Sequence, residues 1–189
     1  MTKKEDIIIM NFSGIYKEQQ FWQNGEIQRE EISWVEVQEL PGSNCYCDGD
    51  AMETLRQKLE EFDADGIHFI DSGNYHYMSR IWLEKLNTPF RLVVFDNHTD
   101  MQPPAFGGLL SCGGWVAASL EELPLLKEVL LVGPDQEAFD QTEPVLREKV
   151  RFLSREKLGA MTLEEKVSFF EELTAELPTY CLLYTSPSP

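Results

Sequence analysis

The sequence predicts an α/β fold on a mostly parallel sheet covered by helices on both faces. Two observations carry this reading. Short apolar runs, Ile7–Met10 and Arg91–Phe95 among them, are too brief for helices and suit strands buried on both sides. Between such runs lie stretches with apolar residues three and four apart, the spacing of amphipathic helices, and alternating strands and helices build parallel sheets.

Taken in order, Asp6–Phe12 is an apolar run expected in the central sheet. Ser13–Glu31 is polar with scattered Tyr16, Phe21 and Trp22, and reads as an irregular excursion. Ile32–Val37 alternates apolar and polar residues, so it is expected as a half-exposed strand. Pro41–Asp50, PGSNCYCDGD, is a loop by its turn residues. Its Cys45, Cys47, Asp48 and Asp50 could hold a soft metal or calcium, although a lone C-x-C specifies neither. Ala51–Phe62 sets Met52, Leu55, Leu59 and Phe62 on one helical face with charges opposite. Ile67–Ile70 is the next buried strand. Met78–Leu86 is a helix that Pro89 forces to end. After the strand Arg91–Phe95, a helix is expected over Gly113–Leu123. A strand is expected over Glu128–Val132, closed by Gly133-Pro134, and a short strand over Val150–Leu153. Leu163–Leu177 has the pattern of an amphipathic helix.

Composition narrows the function. The 189 residues suffice for one sizeable core. A formal net charge of −17 argues against nucleic acid, whose phosphates need clustered Lys and Arg. It suits a small cationic partner. No apolar run reaches the length of a membrane span, and charge interrupts the start too early for a signal peptide. Cys45, Cys47, Cys112 and Cys181 do not form a disulfide framework by their spacing. These features together predict a soluble, reduced, cytoplasmic protein.

The stretch after Phe95 carries the chemistry. Asp96, His98 and Asp100 lie two apart, so in extended chain they share one face at the carboxyl end of a strand. Open α/β sheets place ligand sites there. Oxygen and imidazole donors suit Mn²⁺, Zn²⁺ or Fe²⁺, with carboxylate-rich sets leaning toward Mn²⁺. The same pattern also fits a solvated turn with a capping aspartate. A second loop, Ser72–Tyr77, follows the strand Ile67–Ile70. If that strand neighbours Leu92–Phe95, His76 lies at the same edge as the trio. His68 reads as a core or edge histidine, and Asp71 as a ligand support or helix cap.

Phe95-Asp96-Asn97-His98-Thr99-Asp100 resembles the D-A-H-x-D metal motif of the arginase (ureohydrolase) family. Gly73-Asn74-Tyr75-His76 resembles that family's upstream G-G-D-H motif, and Gly107–Gly114 its substrate loop. The resemblance runs from the N-terminal strand to Tyr180. It implies a three-layer α/β/α fold, arginase/deacetylase-like, with a two-manganese centre. It further implies that His76 binds one Mn²⁺, Asp96 bridges both, His98 binds the second and Asp100 the first. Family members hydrolyse C–N bonds in guanidines and linear amidines such as arginine, agmatine or formiminoglutamate, and often assemble as homo-oligomers.

Three departures qualify what is carried over. No aspartate pair of the family's S-x-D-x-D motif follows Tyr180, so residues 1–180 read as the N-terminal portion of a single arginase-like domain lacking its C-terminal strands. Residues 181–189 read as a non-native tail. Trp115 stands where arginases have a histidine for proton transfer, and Gln102 where they have an asparagine. These two positions are expected to contact substrate and to move it away from L-arginine, although Trp115 equally fits plain core packing at a helix start. The expectation is therefore a dinuclear manganese hydrolase of a small cationic guanidine or amidine, with this chain itself inactive. The alternatives are a related metal-dependent deacetylase, or a degenerate or truncated metal-binding domain without catalysis.

Overall fold

A computed structural model describes residues 7–19, 32–104, 106–174 and 177–184. The expected excursion therefore lies outside the described residues over 20–31, as does the expected tail over 185–189. In chain order the elements are β1 (Ile7–Asn11), α1 (Ile15–Glu18), β2 (Ile32–Glu36), β3 (Tyr46–Cys47), α2 (Gly49–Lys58), β4 (Ile67–Phe69), α3 (Met78–Leu83), β5 (Phe90–Phe95), β6 (Leu110–Ser111), α4 (Trp115–Glu122), β7 (Leu126–Val132), α5 (Gln136–Asp140), α6 (Pro144–Arg147), β8 (Val150–Leu153), α7 (Arg155–Ala160), α8 (Leu163–Thr174) and β9 (Thr179–Leu183). No helix among the described residues is long and apolar enough to cross a membrane.

The chain forms two compact units. One holds the described residues up to Lys85 together with 106–112; the other holds 86–104 and those from Gly113 onward. In the first, β1 lies between β2 and β4, all parallel, with Ile7 opposite both Ile32 and Ile67. Ile8, Ile9 and Met10 are buried, as their uninterrupted apolar run requires. α2 starts at Asp48, whose carboxylate accepts from Ala51 N–H at 2.8 Å, a cap that stabilises by about 1 kcal/mol. The helix buries Ala51 and Leu55. Glu84 draws together Arg56 and Arg80. Burial works against its charge, but the two guanidinium groups outweigh burial and its pKa is lowered.

Two expectations change in this unit. The stretch 41–50 is not loop throughout: Tyr46-Cys47 pairs antiparallel with Leu110-Ser111, and α2 begins at Gly49. β4 is less buried than its apolar residues suggest, with Ile67 50% exposed, because it lies at the end of the β2-β1-β4 order.

In the second unit the order is β8-β7-β5-β9, all parallel. β5 sits inside, flanked by β7 and β9, which explains why Leu92, Val93 and Val94 are all buried. Val93, Leu130, Val132, Leu153 and Leu173 form one apolar cluster. Each such side chain contributes about 1.5–3 kcal/mol by leaving water. α8 opens with a reciprocal cap: Glu165 N–H donates to Thr162 Oγ1 at 3.2 Å, and Thr162 N–H to Glu165 Oε2 at 2.8 Å. Thr179–Leu183 is one continuous strand that pairs parallel with β5. β4 and β5, the strands that lead into the two candidate loops, belong to different ladders: β4 pairs with β1, and β5 with β7 and β9.

Candidate metal centre

The acidic loop begins where the β5 ladder stops. Asp96 N–H donates to Val132 O at 3.1 Å, and Tyr184 N–H to Phe95 O at 2.9 Å. Beyond these rungs the chain has to turn. Asp96 Oδ1 accepts from His98 N–H at 3.0 Å, the usual way an aspartate closes a turn on the residue two ahead. Asp100 then takes a left-handed backbone, φ +49°, which aspartate tolerates better than most residues.

Residues at the start of α4 hold this turn. Gln102 N–H donates to Gly113 O at 2.9 Å, and Val116 N–H to Asp100 O at 3.0 Å. Trp115 Nε1–H donates to Asp100 Oδ2 at 2.6 Å. On the other side Gly133, with φ +119°, lies so close that a Cβ there would meet Asp96 O at 2.3 Å. The glycine that follows β7 is therefore part of the wall behind Asp96.

The outcome is a pair of buried carboxylates. Asp96 is 4% exposed and Asp100 5%. One oxygen of each lies within 4.8 Å of one of the other. At an effective dielectric near 20, two such charges repel by on the order of 3 kcal/mol. A divalent cation that accepts an oxygen from each converts that repulsion into attraction. Hard oxygen donors favour Mg²⁺, Ca²⁺ or Mn²⁺, so the donor set fits a metal of the expected kind.

The other expected site residues are placed differently. The His98 side chain is 66% exposed, with Nδ1 3.2 Å from Asp96 Oδ1. Its ring therefore leans on the pair from the solvent side. Gln102 is exposed, and its side chain lies beside Gly113. Trp115, expected to touch substrate, is completely buried, and its indole N–H is committed to Asp100.

His76 belongs to the first unit. It follows a short 3₁₀ turn, Gly73–Tyr75, donates its N–H to Gly73 O at 3.3 Å, and is 4% exposed. Asp71, just upstream, has a different role from either expected one. Its carboxylate accepts from Phe12 N–H at 3.1 Å, Ser13 N–H at 2.9 Å, Ser13 Oγ–H at 2.8 Å and Ser72 N–H at 2.8 Å. It ties down the chain leaving β1, where Phe12 stacks on Tyr75 with ring centroids 3.9 Å apart. His68 stacks on Trp82 at 3.8 Å, and burial lowers its pKa to about 4, so its ring is held neutral.

Sequence reasoning missed Gly133 and the Trp115–Asp100 bond. The Gly-Pro pair after β7 signalled a turn, but the approach of that turn to Asp96 joins segments far apart in the chain.

No protein-family model matches the chain. It is 28% identical over 148 residues to an uncharacterized protein of Thermotoga maritima (strain MSB8), a match covering 73% of this chain and 55% of the relative. Among solved structures it is similar to the proclavaminate amidino hydrolase of Streptomyces clavuligerus, with a TM-score of 0.65 and 12% sequence identity. That match covers 94% of this chain and 66% of the hydrolase. The chain thus spans about half the length of the curated relative and about two thirds of the solved one. Its mostly parallel α/β architecture is the arginase-like fold of that hydrolase.

Proposed function

We propose that this chain carries the metal-binding part of a hydrolase that cleaves C–N bonds in a small linear amidine or guanidine, using Mn²⁺. The observation that carries the reading is the buried Asp96–Asp100 pair, with carboxylate oxygens within 4.8 Å at the end of a parallel strand. The fold shared with the proclavaminate amidino hydrolase supports it at the level of architecture. In this reading Asp96 and Asp100 supply the oxygen donors, and His98 an imidazole. Mn²⁺ bound by these residues would lower the pKa of a coordinated water toward neutrality. The residues of the chain do the rest. Carboxylates draw a cationic substrate to the loop, and the exposed Gln102 offers an amide oxygen to its N–H groups. We place this activity in the cytoplasm.

The test is metal content. After dialysis of the purified 189-residue protein against Mn²⁺, bound metal is counted by atomic absorption in the wild type and in Asp96→Ala, Asp100→Ala, His98→Ala and His76→Ala. Loss of most of the metal in both aspartate variants is expected. Wild-type content in all four variants overturns the reading. A panel of linear amidines and guanidines, assayed for urea and ammonia, tests the reaction; release of acetate from acetylated amines instead would move the assignment to a deacetylase. The second reading, metal binding without turnover, is favoured by Trp115, buried where the resemblance expects a histidine for proton transfer. It predicts bound Mn²⁺ and no product.

A further inference from the structure

We infer that Trp115 is a positioning residue for the metal centre, orienting the carboxylate of Asp100 through its indole N–H; this rests on the metal reading of the Asp96–Asp100 pair. The bond is short, 2.6 Å, and both partners are buried, Trp115 at 0% and Asp100 at 5% exposure. A hydrogen bond from N–H to an ionised carboxylate is about twice as strong as a neutral one and fixes the plane of the group. Asp100 needs such a restraint. Its φ of +49° is an uncommon conformation, and its backbone is held from the same stretch, by Val116 N–H to Asp100 O at 3.0 Å. The adjoining bond from Gln102 N–H to Gly113 O closes the clamp. The ring is a rigid strut, because its body is packed and only its nitrogen is polar. A metal ligand whose supporting donor is removed can rotate, and outer contacts of this kind change metal affinity by about 10–100-fold.

The experiment measures Mn²⁺ binding by equilibrium dialysis and by the six-line EPR signal of free Mn²⁺, on the full 189-residue protein. Wild type, Trp115→Phe and Val116→Ala are compared, each with thermal unfolding in the absence of metal. Val116 is also completely buried and starts the same helix, so its truncation mimics a packing loss and keeps the backbone bond to Asp100. We expect Trp115→Phe to weaken Mn²⁺ binding at least tenfold, and Val116→Ala to lower the unfolding temperature with Mn²⁺ affinity within twofold of wild type. Equal affinity of Trp115→Phe and wild type overturns the role of Trp115 and leaves the metal reading standing. No Mn²⁺ binding by the wild type overturns both. Equal weakening in the two variants reduces Trp115 to packing and overturns the inference. If Trp115→Phe does not fold, the wild-type indole N–H resonance decides. It should shift on titration with diamagnetic Mg²⁺ in step with binding, and a resonance that stays in place overturns the inference.

Discussion

Replacing Gly133 with alanine tests the wall behind the acidic loop. Two costs add. At φ +119° an L-residue is strained, at about 1–3 kcal/mol. The new methyl would also lie 2.3 Å from Asp96 O and 3.2 Å from Asp96 C. Restoring an ordinary contact needs a displacement of roughly 1 Å. The obstacle is backbone, so no side-chain rotation relieves it. Moving Asp96 strains its N–H bond to Val132 O, now 3.1 Å. We expect Gly133→Ala to cost about 2–4 kcal/mol in all. Urea unfolding followed by circular dichroism measures it. Gly107→Ala is the control: φ is +73° there, but nothing lies within 4 Å of the added Cβ, so only backbone strain remains, about 1 kcal/mol. Equal costs at the two glycines would refute the contact between Gly133 and Asp96. So would a loss at Gly133 below about 1 kcal/mol. The displacement should also weaken Mn²⁺ binding in Gly133→Ala, whereas Gly107→Ala should retain it.

Two further outcomes follow from the first unit. Asp71→Ala removes the acceptor for four hydrogen bonds and should destabilise by about 2–4 kcal/mol in denaturant, while Asp71→Asn, which retains one oxygen, should lose less. The pKa of His68 is about 4 in the folded protein, against an ordinary value of 6.5. The unfolded chain therefore binds the proton first, so stability from the neutral ring is full above about pH 6.5 and falls as pH drops toward about 4, by up to about 3 kcal/mol. Unfolding free energies measured from about pH 7.5 to 4 in wild type and His68→Phe check it; parallel curves would reject the assignment.

Much of the architecture was legible because apolar continuity reports burial directly. Ile7–Met10 and Arg91–Phe95 fell in β1 and β5, and the helical spacing of Leu55 and Leu59 fell in and just beyond α2. Strand pairing was not legible. Nothing in Ile67–Ile70 or Leu92–Phe95 says which neighbours each will take, since the partners lie tens of residues away. The short helices α5, α6 and α7 went unread because each is too brief to show a repeat. At the loop, the spacing of Asp96 and Asp100 was visible, but their separate fates were not. Gly133 lies against Asp96 and Trp115 bonds Asp100, and both approach from elsewhere in the chain. Asp71 shows the same limit: an acidic residue at a strand end reads as a ligand's support or a helix cap until the backbone N–H groups it accepts from are seen.

The outer side of β9 has a practical consequence. Among the described residues this strand pairs only with β5, and Thr179–Leu183 contains no charged side chain. Leu183 is 72% exposed. Strands of that kind recruit copies of themselves unless lysine, proline or a bulge blunts them. Concentrated solutions should therefore self-associate along this margin, and purification at low protein concentration would keep the metal measurements free of aggregate.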